Sequence, residues 1–196
     1  TLFRSDEIAL SRYMTANKEY EKQNLETALL EFAAINKKYS KFYQCRFMEG
    51  KTLYFLERFN EAALVFADLL EEKPEFSQAA VWMAKTFTIS GAWVEAEEAL
   101  LKQLSYDPAD PRILLDLSNI KAKQRETAVS FEYLQRAKIF SQEFVYVYIN
   151  LAKFYYQNDM TNAALAELNT ALKLLDKDNP LVFAIENLIK EMQSHD

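Results

Sequence analysis

Two glycines and four prolines in 196 residues leave little material for tight turns, a scarcity that argues for helices. One cysteine, Cys45, rules out an internal disulfide and says nothing of the redox compartment. One histidine, His195, sits next to the C-terminal residue, where such a side chain is a solvated tail far more often than a base or a metal ligand. Positive charge is scarce too: 23 Lys and Arg against 29 Asp and Glu give a net charge of −6. Affinity for phosphates comes from clustered Lys and Arg that displace counterions, so a general nucleic-acid role is not expected. No run approaches the roughly 18 uncharged apolar residues that cross a bilayer.

Half of the residues are hydrophobic and 27% are charged, enough apolar surface for a core and enough polar surface to dissolve it. The chain begins at Thr1 without an initiator methionine or an apolar signal core. An export segment or lipid anchor removed beforehand is compatible with that, and the compartment stays open.

A fixed period organises what is present. Ala28, Ala62, Ala96, Ser130 and Ala164 are small residues spaced 34 apart, and Phe32, Phe66, Leu100, Leu134 and Leu168 follow each by four. A small and a large residue four apart share one helix face. A second small series, Ala16, Gly50, Ala84, Ser118 and Ala152, keeps the same period and allows two helices to approach closely. Helices of about twelve residues are marginal alone, so hairpins of this kind must stack to bury their flanks.

The punctuation fits. Pro74 and Pro108 follow the second helices of the second and third units, where proline stops a helix. Asp110-Pro111 and Asn179-Pro180 read as an N-cap followed by proline in the first turn. Gly91 opens the turn before Trp93. From Leu181 to Met192, Leu181, Ile185, Leu188, Ile189 and Met192 recur at helical spacing and predict a C-terminal helix that caps the stack. A partner-docking helix is the alternative.

These residues resemble the tetratricopeptide-repeat (TPR) family, with the fifth repeat matching best through Tyr148, Leu151, Ala152, Tyr155, Ala164 and Ala171. The second supplies Gly50, Phe59, Ala62, Phe66 and Pro74, and the third Ala84, Phe87, Gly91, Ala96 and Pro108. The resemblance implies an all-α right-handed superhelix, an α-solenoid, of five helix-turn-helix repeats at about residues 9–42, 43–76, 77–110, 111–144 and 145–178. A capping helix follows at 180–193, the whole forming a single domain over 1–196. Arg12 and Arg46, then Thr15 and Glu49, stand where the family has large apolar residues, which suggests first helices that are turned or capping in repeats one and two. Lys121 for the usual Tyr and Gln142 for Pro suggest a looser fourth hairpin.

In such a stack the first helices line a concave surface. Their ninth places read Asn17, Lys51, Lys85, Asn119 and Lys153, and their twelfth Tyr20, Tyr54, Thr88, Ala122 and Tyr156. The resemblance implies that Asn17 and Asn119 bond a peptide backbone and that Lys51, Lys85 and Lys153 attract its carboxylates. Tyr20, Tyr54 and Tyr156, with Trp82, Tyr146 and Asn150, complete the candidate surface. Tyr13 and Phe47 are better read as packing. The clamp by which some co-chaperones hold a terminal carboxylate is missing: Tyr13, Met48, Gln78 and Trp82 occupy its places.

Catalysis has little support. Cys45 has no histidine near it in sequence, two glycines build no phosphate loop, and no Cys or His cluster has metal-ligand spacing. The expected role is therefore an adaptor or assembly factor that holds an acidic peptide segment of a protein partner, without cofactor or metal. The alternative is a structural scaffold, such as a part of a bacterial envelope or secretion assembly, that self-associates through its ends.

Overall fold

A computed structural model describes residues 2–194, and the side chains of residues 7–194; His195 lies outside the described residues. Eleven helices and no strand occur among the described residues. By their contacts the residues divide into two compact units, 1–106 and 107–196.

The first unit contains α1 (Leu2–Glu21), α2 (Leu25–Lys38), α3 (Tyr43–Phe55), α4 (Phe59–Glu72), α5 (Ser77–Ile89) and α6 (Trp93–Leu104). They pair as hairpins α1/α2, α3/α4 and α5/α6, and successive hairpins join through α2 against α3 and α4 against α5. The periodic residues explain the pairing. Ala28, Phe32, Ala62, Phe66, Ala96 and Leu100 are fully buried, the large ones filling the space the small ones open. Each buried Phe or Leu contributes about 1.5–3 kcal/mol relative to an exposed one. At Gly50 the approach is close enough that an added Cβ would lie 2.5 Å from Cε1 of Phe66.

The second unit contains α7 (Pro111–Lys123), α8 (Thr127–Phe140), α9 (Val145–Gln157), α10 (Thr161–Lys173) and α11 (Pro180–Ser194). Hairpins α7/α8 and α9/α10 meet through α8 and α9. Ser118 and Ser130 replace the usual small apolar pair, and their buried hydroxyls bond each other at 3.1 Å while Ser130 Oγ donates to the Ser118 carbonyl at 2.9 Å. That leaves neither polar group unpaired in the interior. α11 packs on α10 and buries Ile185 and Met192 with Ala164, Leu168 and Ala171, as a cap does.

The hairpin turns share one geometry that the sequence hides. Gln23, Glu57, Gly91, Arg125 and Asp159, again 34 apart, all adopt positive φ between 59° and 77°. After each, a backbone N–H reaches back five residues, as in Asn24 N to Glu19 O and Arg58 N to Leu53 O, both 2.9 Å. This is a left-handed helix C-cap that satisfies the last carbonyls. Only one of the five is the glycine that this conformation favours. Helix starts at Asp110 and Asn179 are capped as expected, the side chains accepting from Arg112 N and Leu181 N.

Residues that depart from the family pattern make polar bridges instead. Arg12 pairs with Glu31 at 2.7 Å, Arg46 with Glu72 at 2.8 Å and with the Ser40 carbonyl, and Asn36 donates to Glu49. In the fourth hairpin Lys121 pairs with Glu126 at 3.0 Å, and the Tyr148 hydroxyl donates to the Gln142 carbonyl at 2.7 Å. Phe47 is buried, as are Leu115 and Ile149 at the same register, whereas Tyr13 and Val81 there are half-buried.

Candidate functional site

Lys51, one turn beyond Phe47 on α3, is half-buried with its ammonium over three rings at once. Its Nζ lies 4.9 Å from the ring centroid of Trp82, 5.5 Å from Tyr20 and 5.8 Å from Phe47. Lys85, one turn beyond Trp82 on α5, puts its Nζ 4.8 Å from the same indole. Three first helices, α1, α3 and α5, thus bring an aromatic wall and two cations to one face of the first unit. Cation–π attraction holds the ammonium groups there without neutralising them. Neither lysine forms an ion pair among the described residues.

Rings support rings around this pair. Tyr54 meets Trp82 edge-on at 5.1 Å, and Phe55 stands 5.6 Å from Trp82 and 6.1 Å from Tyr20. Phe59 backs Tyr54 at 5.5 Å. Burial lowers the Lys51 ammonium below the ordinary lysine value, and the nearby Lys85 charge lowers it further. Burial likewise raises the Tyr20 phenol. A half-buried cation short of a counter-ion is a site that an arriving carboxylate would stabilise.

Of the candidate residues, Tyr20, Lys51, Tyr54, Trp82 and Lys85 converge. Asn17 lies on α1 one turn before Tyr20, half-buried. Tyr13 packs against Phe32 and Phe42 at 5.9 and 4.9 Å, within the core. Phe55 is a member of the site that sequence patterning misses, because its register reads Glu21, Phe55, Ile89, Lys123 and Gln157 and carries no common chemistry. The neighbouring Tyr54 is its one signal.

The candidates in the second unit are not gathered in this way. Asn119 on α7 is exposed; Lys153 on α9 is exposed and lies over no ring among the described residues. Tyr146 is 48% exposed beside Phe144, and the Asn150 amide donates to the Tyr146 carbonyl of its own helix at 2.8 Å. Tyr156 packs against the core formed by α9, α10 and α11.

Cys45 is fully buried, its thiol donating to the Phe32 carbonyl at 3.7 Å and pushed up to about 12 by burial and then by Glu49. It stays protonated and unreactive at neutral pH. No group of three or more His, Cys, Asp or Glu that could hold a metal, and no helix long and apolar enough to cross a membrane, occurs among the described residues.

Helices paired as successive hairpins, with small and large residues repeating every 34 positions between them, define a helical-hairpin repeat protein with the tetratricopeptide-repeat fold. TTC0263, a thermophilic TPR protein of Thermus thermophilus, superposes with a TM-score of 0.76 at 15% identity, covering 95% of this chain and 99% of that one. A MamA fragment, residues 41 to the end, from Desulfovibrio magneticus RS-1 gives 0.67 at 17% identity over 85% of this chain and 94% of its own. YrrB, a TPR protein with an unusual peptide-binding site, gives 0.58 at 15% identity over 91% and 92%. No protein-family model and no curated sequence matches the chain.

Proposed function

We propose that this chain is a protein-interaction module that holds an acidic peptide segment of a partner on the α1/α3/α5 face of its first unit. The observation that carries the reading is the pair Lys51 and Lys85, both over the Trp82 ring and both without a carboxylate partner among the described residues. Tyr20, Tyr54 and Trp82 supply stiff flat surface for the peptide's apolar parts, and the lysines meet its Asp, Glu or terminal carboxylate. Asn17 adds an amide toward the peptide backbone. YrrB, which shares the fold, has a peptide-binding site, and that supports the same use of the scaffold in this chain.

Fluorescence anisotropy with a labelled acidic peptide containing one aromatic residue tests this. Binding should weaken with salt, and Lys51→Ala/Lys85→Ala should cost about tenfold or more with the circular dichroism unchanged. Equal affinity of variant and wild type removes the face as the site.

A structural role through self-association is the second reading. Phe183, 71% exposed on the capping helix α11, favours it. Sedimentation of wild type and Phe183→Glu separates the two: a monomer in both sinks this alternative.

A further inference from the structure

The second helices carry a feature that the peptide-holding face does not use. At one register they read Leu30, Leu64, Glu98, Glu132 and Ala166, spaced 34 apart. This place faces outward, since all five residues are exposed. Glutamate there is the natural solvated choice in the third and fourth hairpins. In the first two the same place holds leucine, 71% and 65% exposed. Two large aliphatic side chains at a solvent-facing register bury little of themselves and leave apolar surface open.

The two leucines lie on α2 and α4 and share one open groove of about 410 Å³ with Ala33 and Val65. Its polar lining is acidic: Glu26, Glu49 and Glu61 face a single cation, Arg58. That cation is committed, because its Nε and Nη2 donate to Glu61 at 2.7 and 2.6 Å. Val65 and Glu49 also line an adjoining groove of about 550 Å³, where Asp68, Glu71 and Glu72 stand with Arg46. Arg46 is occupied as well, by Glu72 and the Ser40 carbonyl. Six carboxylates therefore border the two adjoining grooves, the first lined by Leu30 and Leu64, and the two arginines are already paired with Glu72 and Glu61.

We propose that the α2/α4 face of the first unit is a second docking surface, for a basic amphipathic segment of a partner protein. Its aliphatic side chains rest on Leu30 and Leu64, and its Lys or Arg heads reach Glu26, Asp68 and Glu71. Charge selects this occupant over a second copy of the chain, because pairing the face with itself would set carboxylates against carboxylates. The surface lies mainly on α2 and α4, takes Arg46 and Glu49 from α3, and shares no residue with the lysine and aromatic cluster of the α1/α3/α5 site.

Three synthetic probes test the proposal with the full chain, by anisotropy: a leucine–lysine peptide with helical amphipathic spacing, its leucine–glutamate counterpart, and a lysine–serine peptide without an apolar face. The leucine–lysine peptide should bind best. Leu30→Glu/Leu64→Glu, which copies the residues of the third and fourth hairpins, should weaken it about tenfold or more, while Lys51→Ala/Lys85→Ala leaves it unchanged. Asp68→Lys/Glu71→Lys, both at exposed positions, should reverse the preference toward the leucine–glutamate peptide and provides the test should the leucine variant unfold. No binding, no preference for lysine over glutamate, or full affinity in the leucine variant overturns the proposal. So does a wild-type dimer that Leu30→Glu/Leu64→Glu dissolves, which would give the face to self-association.

Discussion

The first unit and the second are built on one register, yet the same places serve differently in each. In the first, place nine holds Lys51 and Lys85, and both find the Trp82 ring. In the second, place nine holds Asn119 and Lys153, both exposed and with no aromatic cage around them among the described residues. The aromatic residues of the second unit go elsewhere: Phe131 stacks on Phe154 at 4.7 Å, and Tyr148 accepts Lys138 over its ring while that lysine also pairs with Glu167 at 2.6 Å. A repeat thus secures a position on the scaffold, and neighbouring residues decide whether a lysine there lies over an aromatic ring.

The close helix approach breaks the comparison most sharply. Gly50→Ala forces a methyl against the fully buried Phe66 ring, and should cost about 2 kcal/mol even after the helix-propensity gain of alanine. In the second unit, Ser118→Ala/Ser130→Ala removes both partners of a buried pair and should change stability by less than about 1 kcal/mol. Thermal melts of the two variants read this directly; equal shifts would mean that the tight spot at Gly50 relaxes.

Binding sharpens the contrast next. Asn119→Ala/Lys153→Ala should alter acidic-peptide affinity less than about threefold, against the tenfold or larger loss expected for Lys51→Ala/Lys85→Ala. Comparable losses would place the second unit's face in the site.

A third test uses pH on the second unit. Burial works to raise the Asp110 carboxyl, but hydrogen bonds from the Arg112 side chain and backbone, with its charge, outweigh it and hold the group below its ordinary value. A carboxyl depressed in the folded state adds stability above its unfolded value, and that stability fades as pH falls through the folded one. Asp110→Ala should therefore cost about 1 kcal/mol at neutral pH through the lost cap. The gap from wild type should close in acid; a constant gap would remove the charge from the account.

The smallest effect lies in the turns. Glu57→Gly should gain about 0.5 kcal/mol, because an exposed L-residue at φ 60° carries strain that glycine does not. Gly91→Ala, at φ 77° with nothing within 4 Å of an added Cβ, should lose about 1 kcal/mol through backbone conformation alone.

Much of the fold is legible in the residues themselves. The period of 34 locates the hairpins to within a few residues, and Asp110, Asn179 and Pro180 mark helix starts correctly. The repeat frame makes α1 too short, since the helix begins at Leu2, well before the first small residue of the repeat. The left-handed turns at Gln23, Glu57, Arg125 and Asp159 give no compositional sign, as none is glycine. Within the site, the lysine and tyrosine ladders are visible by spacing, whereas Phe55 is not. The exposed leucines at 30 and 64 are hidden too, because a leucine on an amphipathic helix reads as core until its neighbours are known.

By itself the sequence determined the helical hairpins, because small and large residues four apart, caps and prolines act over one or two turns of chain. Only the tertiary structure decided that Tyr20, Lys51 and Trp82 meet, since each comes from a different hairpin and none lies within a helical turn of another. It also decided which leucines would stay in water. Burial is a property of what packs on the far side of a helix, and that is settled only when the hairpins stack.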